Sequence, residues 1–365
     1  MSKMTINKDS KRFQNFSVEE QDLVKAGVEL HKHNLFLKHE KKHFAEFAVG
    51  NYDEKQELFM ENLEKEAVKR SGFNANYTKG EAMKKKGVRE EAFAIIGEIL
   101  DVILPATVAE SMGQFATVRN GAWGDSFLID VPNNDLFVVS ELADGIAYGK
   151  PQRLHKNQVP LIPTNKNITI EEDFYRIIAG KVNLGDWLVR VAISYETKLY
   201  ADVYNVINGT YATLPARLKV ANFTQDSFVK LAQTVSAING GAKAVAFGTQ
   251  LALSKIIPSD SSFKFGLGSE YNSKGYLGEF MGTSLICLPQ VAKAQGDGEL
   301  LLNDDTVIVV AQGAEKIVAV GFEGETLVFE KDATENASLL YQYSFNKKYD
   351  MKAISSFAHG ILKLA

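Results

Sequence analysis

The stretch SKGYLGEFMGTSLICLPQ, residues 273–290, sets aromatic residues among glycines and then runs from Gly282-Thr283 into an apolar segment ended by Pro289. The run SLICLP reads as a buried strand with Cys287 inside it, because free cysteine is among the most buried residue types. Gly275, Gly278 and Gly282 suit tight turns, since glycine reaches backbone conformations that other residues avoid. The stretch contains no acid–base pair, no nucleophile with a partner and no phosphate loop.

Around it the pattern alternates between helix and strand. Thr224 caps a helix expected over 225–238 and stopped by Gly240-Gly241. AVAFGT (244–249) reads as a strand and QLALSKII (250–257) as a helix ended by Pro258. TVIVVA, KIVAVGF and ETLVFE are further strands, and near the end Tyr341, Tyr343 and Phe345 alternate with Gln342, Ser344 and Asn346. Upstream lies the clearest helix, 184–207. Leu184, Trp187, Leu188, Val191, Tyr195, Leu199, Val203 and Val206 recur at three and four, opposite Asp186, Arg190, Lys198 and Asp202. Asn183 can cap its start and Asn208-Gly209 can supply a left-handed stop. At 1.5 Å per residue it spans about 36 Å, long enough for the spine of a domain.

Farther toward the N-terminus, REEAFAIIGEILDVILP (89–105) reads as an apolar helix ended by Pro105. From 115 to 170 the period changes to two. SFLIDV and DLFVVS, separated by Pro132-Asn133-Asn134-Asp135, predict a hairpin, and the polar, proline-containing segment after them predicts a long excursion. Residues 17–70 read as two helices. Ser17-Val18-Glu19-Glu20 is a capping box, and Leu58, Phe59, Leu63 and Ala67 line one side of a helix over 53–70 that stops near Gly72. Their apolar stripes are thin, so these helices are expected to pack against something outside themselves.

Composition narrows the function. The 365 residues are 45% apolar with an ordinary charged fraction, which excludes a disordered chain. The net charge is −4, unlike the strongly basic face of a DNA-coating protein. Residues 1–90 hold 18 Lys+Arg against 15 Asp+Glu, leaving 23 against 30 in the rest, so a modestly basic front precedes an acidic body. One cysteine excludes an intramolecular disulfide. MSKMTINKDSKRFQ lacks the apolar core of a signal peptide, and no run is expected to reach the roughly 20 apolar residues of a membrane span. The expectation is a soluble chain made in a cytoplasm.

His39-Glu40-Lys41-Lys42-His43 matches the H-E-x-x-H of zinc peptidases. On a helix the two histidines would share a face, with Glu40 as base and His31 or His33 as a further ligand. The paired lysines and charged neighbours mark an exposed helix instead. Gly241 to Gly248 has the spacing of a P-loop's outer glycines, but Thr249-Gln250 replaces its Gly-Lys-Ser/Thr. Gly266 and Gly268 do not follow a strand that opens a helix. His155 and His359 are isolated, and Tyr271, Tyr276 and Phe280 read as core rather than as a base-stacking face. No catalytic, cofactor-binding or metal-binding residue is therefore assigned, and no cofactor is expected.

NDLFVVS before the long helix, AVAFGTQLALSKI, and KGYLGEFMGTSLICLPQ, with its GYLG-x-F-x-G-T preceding a strand that ends in Pro-Gln, together resemble the major capsid proteins of tailed double-stranded DNA bacteriophages. The resemblance covers roughly 90–365 and implies an α+β fold of the Hong Kong 97 type. It implies an N-terminal helical arm (1–88), a peripheral-domain helix (89–113), an extended loop (114–175) and a spine helix (176–211). An axial domain (212–312) and returning strands of the peripheral domain (313–365) would follow. The implied function is structural, not enzymatic: self-assembly into the hexamers and pentamers of an icosahedral shell around DNA. The implied partners are further copies of the chain, a portal protein, scaffold and decoration proteins, and non-specifically packaged DNA, with no membrane. The implied location is the virion, after assembly in the host bacterial cytoplasm. Some relatives cross-link a loop lysine to a neighbour's asparagine. Lys150, Lys156 and Lys166 are candidates by position only, and none is assigned. An encapsulin-type nanocompartment is the alternative within the fold, and a zinc peptidase through His39 and His43 is the alternative from another class.

Overall fold

Ser17 begins the first helix, α1 (Val18–His39), through the expected capping box: Glu20 N–H donates to Ser17 Oγ, and Ser17 N–H donates to Glu20 Oε2. A 3₁₀ turn, Lys42–Phe47, leads to α2 (Tyr52–Ser71), which ends where Gly72 takes φ +69°. The third helix, α3, runs Lys86–Met112. The computed structural model describes residues 16–39, 42–74, 76–77, 81–131, 137–139, 141, 151–153, 157–173, 176, 182–258, 271–293, 298–313, 316–331, 340–354 and 359–364.

Two expectations are corrected in α3. Pro105 does not end it. The ring is buried at the twentieth residue of 27, and the helix continues through Val108 and Met112, which are also buried. An internal proline costs about 3 kcal/mol. Apolar burial on both sides of Pro105 offsets that cost. By length and composition α3 is also apolar enough to cross a membrane, contrary to the expectation of no such run. Most of it is buried inside the fold, so it is a core helix.

The chain then forms β1 (Ala116–Gly121), β2 (Phe127–Val131), β3 (Asn157–Leu161) and β4 (Thr164–Asp173). The Pro-Asn-Asn-Asp signature predicted a hairpin with residues 135–140, of which only 137–139 are described and lie in no strand; β2 pairs antiparallel with β3, Phe127 opposite Leu161. Packing decides the partner: Phe127, Ile129 and Leu161 form a small core with Ala319 and Ile354. The spine helix, α4, spans Leu184–Gly209, with Asn183 Oδ1 accepting from Gly185 and Asp186. Its end differs from the expected left-handed stop. Gly209 has φ −61°, and the chain tightens into a 3₁₀ turn at Thr210–Ala212.

Next come β5 (Lys219–Ala221), α5 (Gln225–Ile238, with a Thr224–Ser227 capping box), β6 (Ala244–Gly248) and the single turn α6 (Gln250–Ser254), shorter than predicted. β7 (Glu279–Phe280) and β8 (Thr283–Cys287) pair antiparallel, joined by Met281-Gly282 at φ +48° and +79°. A two-residue hairpin with both loop residues left-handed matches strand twist, which is why a glycine stands there. Gly275 is also left-handed at +79°, whereas Gly278 instead accepts the Leu285 N–H at its carbonyl. Cys287 is half-buried at the end of β8, and burial raises its thiol pKa.

The last strands are β9 (Thr306–Ala311), β10 (Val318–Lys331), β11 (Leu340–Ala353) and β12 (His359–Lys363). Among the described residues two main sheets result: β1-β10-β11-β4, and β5-β12-β9-β6-β8-β7. The segment 313–365 is therefore divided, since β12 joins the second sheet while β10 and β11 build the first.

The four-stranded sheet packs its inner face, Tyr343, Phe345, Tyr349 and Phe322, against α3 and α4. Phe93 of α3 stacks on Tyr343, ring centroids 4.1 Å apart, and Trp187 of α4 meets the same ring. α3 is covered on its other side by α1 and α2. Leu23, Val24, Val28, Phe59 and Leu63 belong to the same continuous core as the sheet. Helices α1 and α2 thus find in α3 the cover outside themselves that their thin stripes require. The fit is close at Gly27, where a Cβ would lie 2.9 Å from two side-chain atoms of Ile99.

The polar groups on the buried faces of α3 are satisfied one by one. Arg89 pairs with Glu330 of β10 at 2.9 Å and lies over the Tyr341 ring; Glu98 takes Arg70 of α2; and Asp101 accepts from Lys347 and from the Thr326 N–H. Burial raises the Glu330 carboxyl pKa, and Arg89 opposes that shift.

Two outcomes follow. Gly27→Val should lower unfolding stability by about 1–3 kcal/mol, because the added methyls overpack the α1–α3 contact, read as a fall in the urea midpoint. Arg89→Met should cost about 3–5 kcal/mol, because it strands Glu330 in the core, and Glu330→Gln in the same chain should restore part of it.

Candidate assembly surfaces

Single exposed apolar side chains are ordinary, whereas exposed apolar residues grouped on one face mark a candidate interaction surface. The β2–β3 hairpin is a two-stranded element, and such pairs are marginal in water unless something covers them. One face is covered within the chain, where Leu161 and Phe127 close on Gly321 of β10. The other carries Leu128 exposed, with Ile162 exposed just beyond Leu161. Between the strands, Phe137, Val138 and Val139 are exposed, Val139 to 94%, although the Val138 backbone is bonded in both directions by the Gln152 side chain. Leu154 and residues 142–150 lie outside the described residues.

The outer face of the four-stranded sheet is a second such surface. The hairpin covers it only as far as Gly321. Beyond the register shift between Glu323 and Leu327, the face is open. Leu327 and Phe329 stand exposed there, opposite Asn346 and Ser344. Next to them runs a hydroxyl and amide ladder in which Asn167 donates to Asn346, and Thr169 meets Ser344 at 2.9 Å. β4, at the sheet's edge, presents ten residues with none fully buried. A third exposed set, Leu251, Met281 and Ile286, belongs to the six-stranded sheet and its turn helix.

The residues weighed for chemistry are placed apart. His39 is the last residue of α1 and His43 falls in the following 3₁₀ turn, with Glu40 and Lys41 outside the described residues. The two histidines do not share one α-helix. His31 and His33 are buried and engaged elsewhere. His31 Nε2 lies 2.7 Å from Glu196 Oε1 of α4, which also accepts from Thr107, and the His33 ring meets Tyr52 edge-on at 5.4 Å. Burial and the nearby Lys55 lower the His33 pKa. Among the described residues no three His, Cys, Asp or Glu side chains converge as metal ligands. Tyr271 donates to Ser254 O and Phe280 is buried against Phe228, so these aromatics are packing residues. Of the loop lysines, Lys150 and Lys156 lie outside the described residues. Lys166 sits on β4 with its Nζ 5.6 Å from the Tyr349 ring, bordering a cavity of about 340 Å³ between α4 and β11.

Over residues 49–363 the chain matches the family model described as "SPbeta prophage-derived putative capsid protein YonB". The chain belongs to this capsid-protein family. The match begins after α1, so α1 lies outside the matched region although it is buried in the core. No curated protein matches the sequence.

Solved capsid structures are also similar. A satellite phage P4 procapsid subunit is 7% identical, with 73% of this chain and 90% of that chain covered at a TM-score of 0.48. The capsid of an empty GTA particle is 15% identical, with 70% and 89% covered at 0.45. The bacteriophage PhiM1 mature capsid is 9% identical, with 68% and 85% covered at 0.45.

Sequence reasoning could not separate the exposed from the buried apolar residues of β10. Leu327 and Phe329 alternate in the same run as Val328, and only the bulge before them decides which set faces out. The double substitution His39→Ala, His43→Ala should leave the unfolding midpoint within about 0.5 kcal/mol of the parent, and elemental analysis of the parent should find no stoichiometric zinc.

Proposed function

We propose that this chain is a structural major capsid protein whose copies close into an icosahedral shell of hexamers and pentamers around double-stranded DNA, with no enzymatic activity. The observation that carries this reading is the family match across residues 49–363. The uncovered apolar surfaces support it, because a subunit destined for a lattice leaves such faces for its neighbours, and many modest contacts in a closed shell sum to high stability.

In this reading β1, β10, β11 and β4 with α3 and α4 form the peripheral domain. The six-stranded sheet with α5 forms the axial domain, mainly 212–312 with β12 added to it, and the 114–175 excursion is the extended loop. Residues 18–71 act as a layer of the peripheral domain rather than as a free arm. The partners are other copies first, then a portal protein, scaffold and decoration proteins, with packaged DNA held non-specifically. The shell forms in the host cytoplasm and ends in the virion. No residue is assigned to catalysis, to a cofactor or to a metal.

The test is assembly itself. Purified chain, with scaffold and portal supplied, should give capsomers or shells by light scattering and electron microscopy. A chain that stays monomeric under those conditions overturns the proposal. Replacing residues 135–153 by a short Gly-Ser turn removes Phe137, Val138 and Val139 and leaves β2, β3 and their contacts with Ala319 in place. This variant should keep a near-parental thermal transition and form few or no closed shells.

A further inference from the structure

β12 lies inside the six-stranded sheet, between β5 and β9, and its first residue is a histidine with no exposed surface. His359 Nε2 is 2.7 Å from Thr210 Oγ1, in the turn that ends the spine helix. The Thr210 hydroxyl donates its one proton to Ile207 O at 2.6 Å, so it can only accept from the imidazole. The ring is therefore the neutral tautomer with its proton on Nε2, and Nδ1 is left buried with no hydrogen-bond partner among the described residues.

Apart from the Thr210 hydroxyl, the side chains packed on the start of this strand are apolar. β9 sets Val310 opposite His359, the helix end supplies Ile207 and Thr210, and α5 presses Leu231 and Val235 so closely on Gly360 that a Cβ there would lie 2.6 Å from Leu231. Lys219 of β5 and Lys363 of β12 lie over the Tyr211 ring. No charged group among the described residues bears on the ring. Loss of water alone lowers its pKa, to about 4. His31, by contrast, lies 2.7 Å from the Glu196 carboxylate of the spine helix.

We propose that the His359–Thr210 contact is an acid-sensitive joint: a second proton on the ring releases β12 from the end of the spine helix and loosens the six-stranded sheet, while the four-stranded sheet stands. The sign follows from linkage. A released strand exposes the ring and restores its ordinary affinity for protons, so the released state binds more protons than the native one at mildly acid pH. The contact holds fully above the ordinary histidine pKa of about 6.5 and weakens as pH falls below it, by about tenfold in the opening equilibrium per pH unit.

Hydrogen exchange of the full chain, corrected for intrinsic rates, reads this directly. Between pH 7 and 5 the amides of β12 and of its partner β9 should lose protection by more than tenfold while those of β11 change little, and His359→Gln, which keeps a donor toward Thr210, should abolish the difference. Constant protection of β12, an equal loss in β11, or an unchanged pH response in His359→Gln overturns the proposal. Should that variant fail to fold, the ¹⁵N shifts of the labelled imidazole in the parent chain decide: the Nε2–H tautomer at pH 7 supports the joint, and an Nδ1–H tautomer or a charged ring refutes it.

Discussion

A helix that is apolar on all sides must be covered on all sides, and every polar group it carries must find a partner within the cover. Helix α3 imposes that constraint on this subunit. Ile95, Ile96, Ile99, Leu100, Ile103 and Leu104 leave no solvent face, so the four-stranded sheet lies on one side and α1, α2 and α4 on the others. Its polar positions then act as addresses. Arg89 and Asp101 select β10 and β11, Glu98 selects α2, Thr107 selects Glu196 of α4, and Glu110 selects Lys32 of α1. Each pair contributes little net stability, since desolvation opposes attraction. A mismatched pairing would leave a buried charge alone, at several kcal/mol. The specificity of the arrangement resides in those crossings.

The same constraint bears on the N-terminal helices, whose thin stripes show only that they need cover outside themselves. A thin apolar stripe on α1 is enough when its glycine lets the helix approach α3 closely and its polar residues are buried too. His31, Lys32, His33 and Asn34 are all nearly inaccessible, and a pattern of hydrophobic residues cannot register them as core. Helix α4 was legible because its apolar period and Asn183 cap are local properties. The α5 capping box and the 273–290 hairpin were legible for the same reason. The ends of α3 and α4 were not: Pro105 is tolerated only because of what packs around it, and Gly209 stays right-handed because the chain tightens into a 3₁₀ turn.

Strand pairing divides along the same line. The Pro-Asn-Asn-Asp sequence is a good local turn signal, yet β2 finds its partner some 25 residues farther on, because Phe127, Ile129 and Leu161 together cover Ala319 and Gly321. Nothing between 127 and 161 encodes that; the deciding residues are on β10. The candidate surfaces were partly legible. The sequence marks an excursion between 114 and 175, but exposed Leu327 and Phe329 are ordinary strand residues until the bulge at 323–327 turns them outward.

The central place of β12 has a kinetic consequence. Ile361 pairs with Lys219 and with Ile308, so the six-stranded sheet closes over a loop of more than a hundred residues, and β1 likewise waits for β10. Contacts so distant in sequence form slowly, since chain entropy is lost before the pairing repays it. During synthesis the helices α1–α4 can collapse early, but neither sheet can be completed until the strands near 320 and 360 have emerged. A nascent chain that has not yet exposed those strands thus lacks finished surfaces of either sheet.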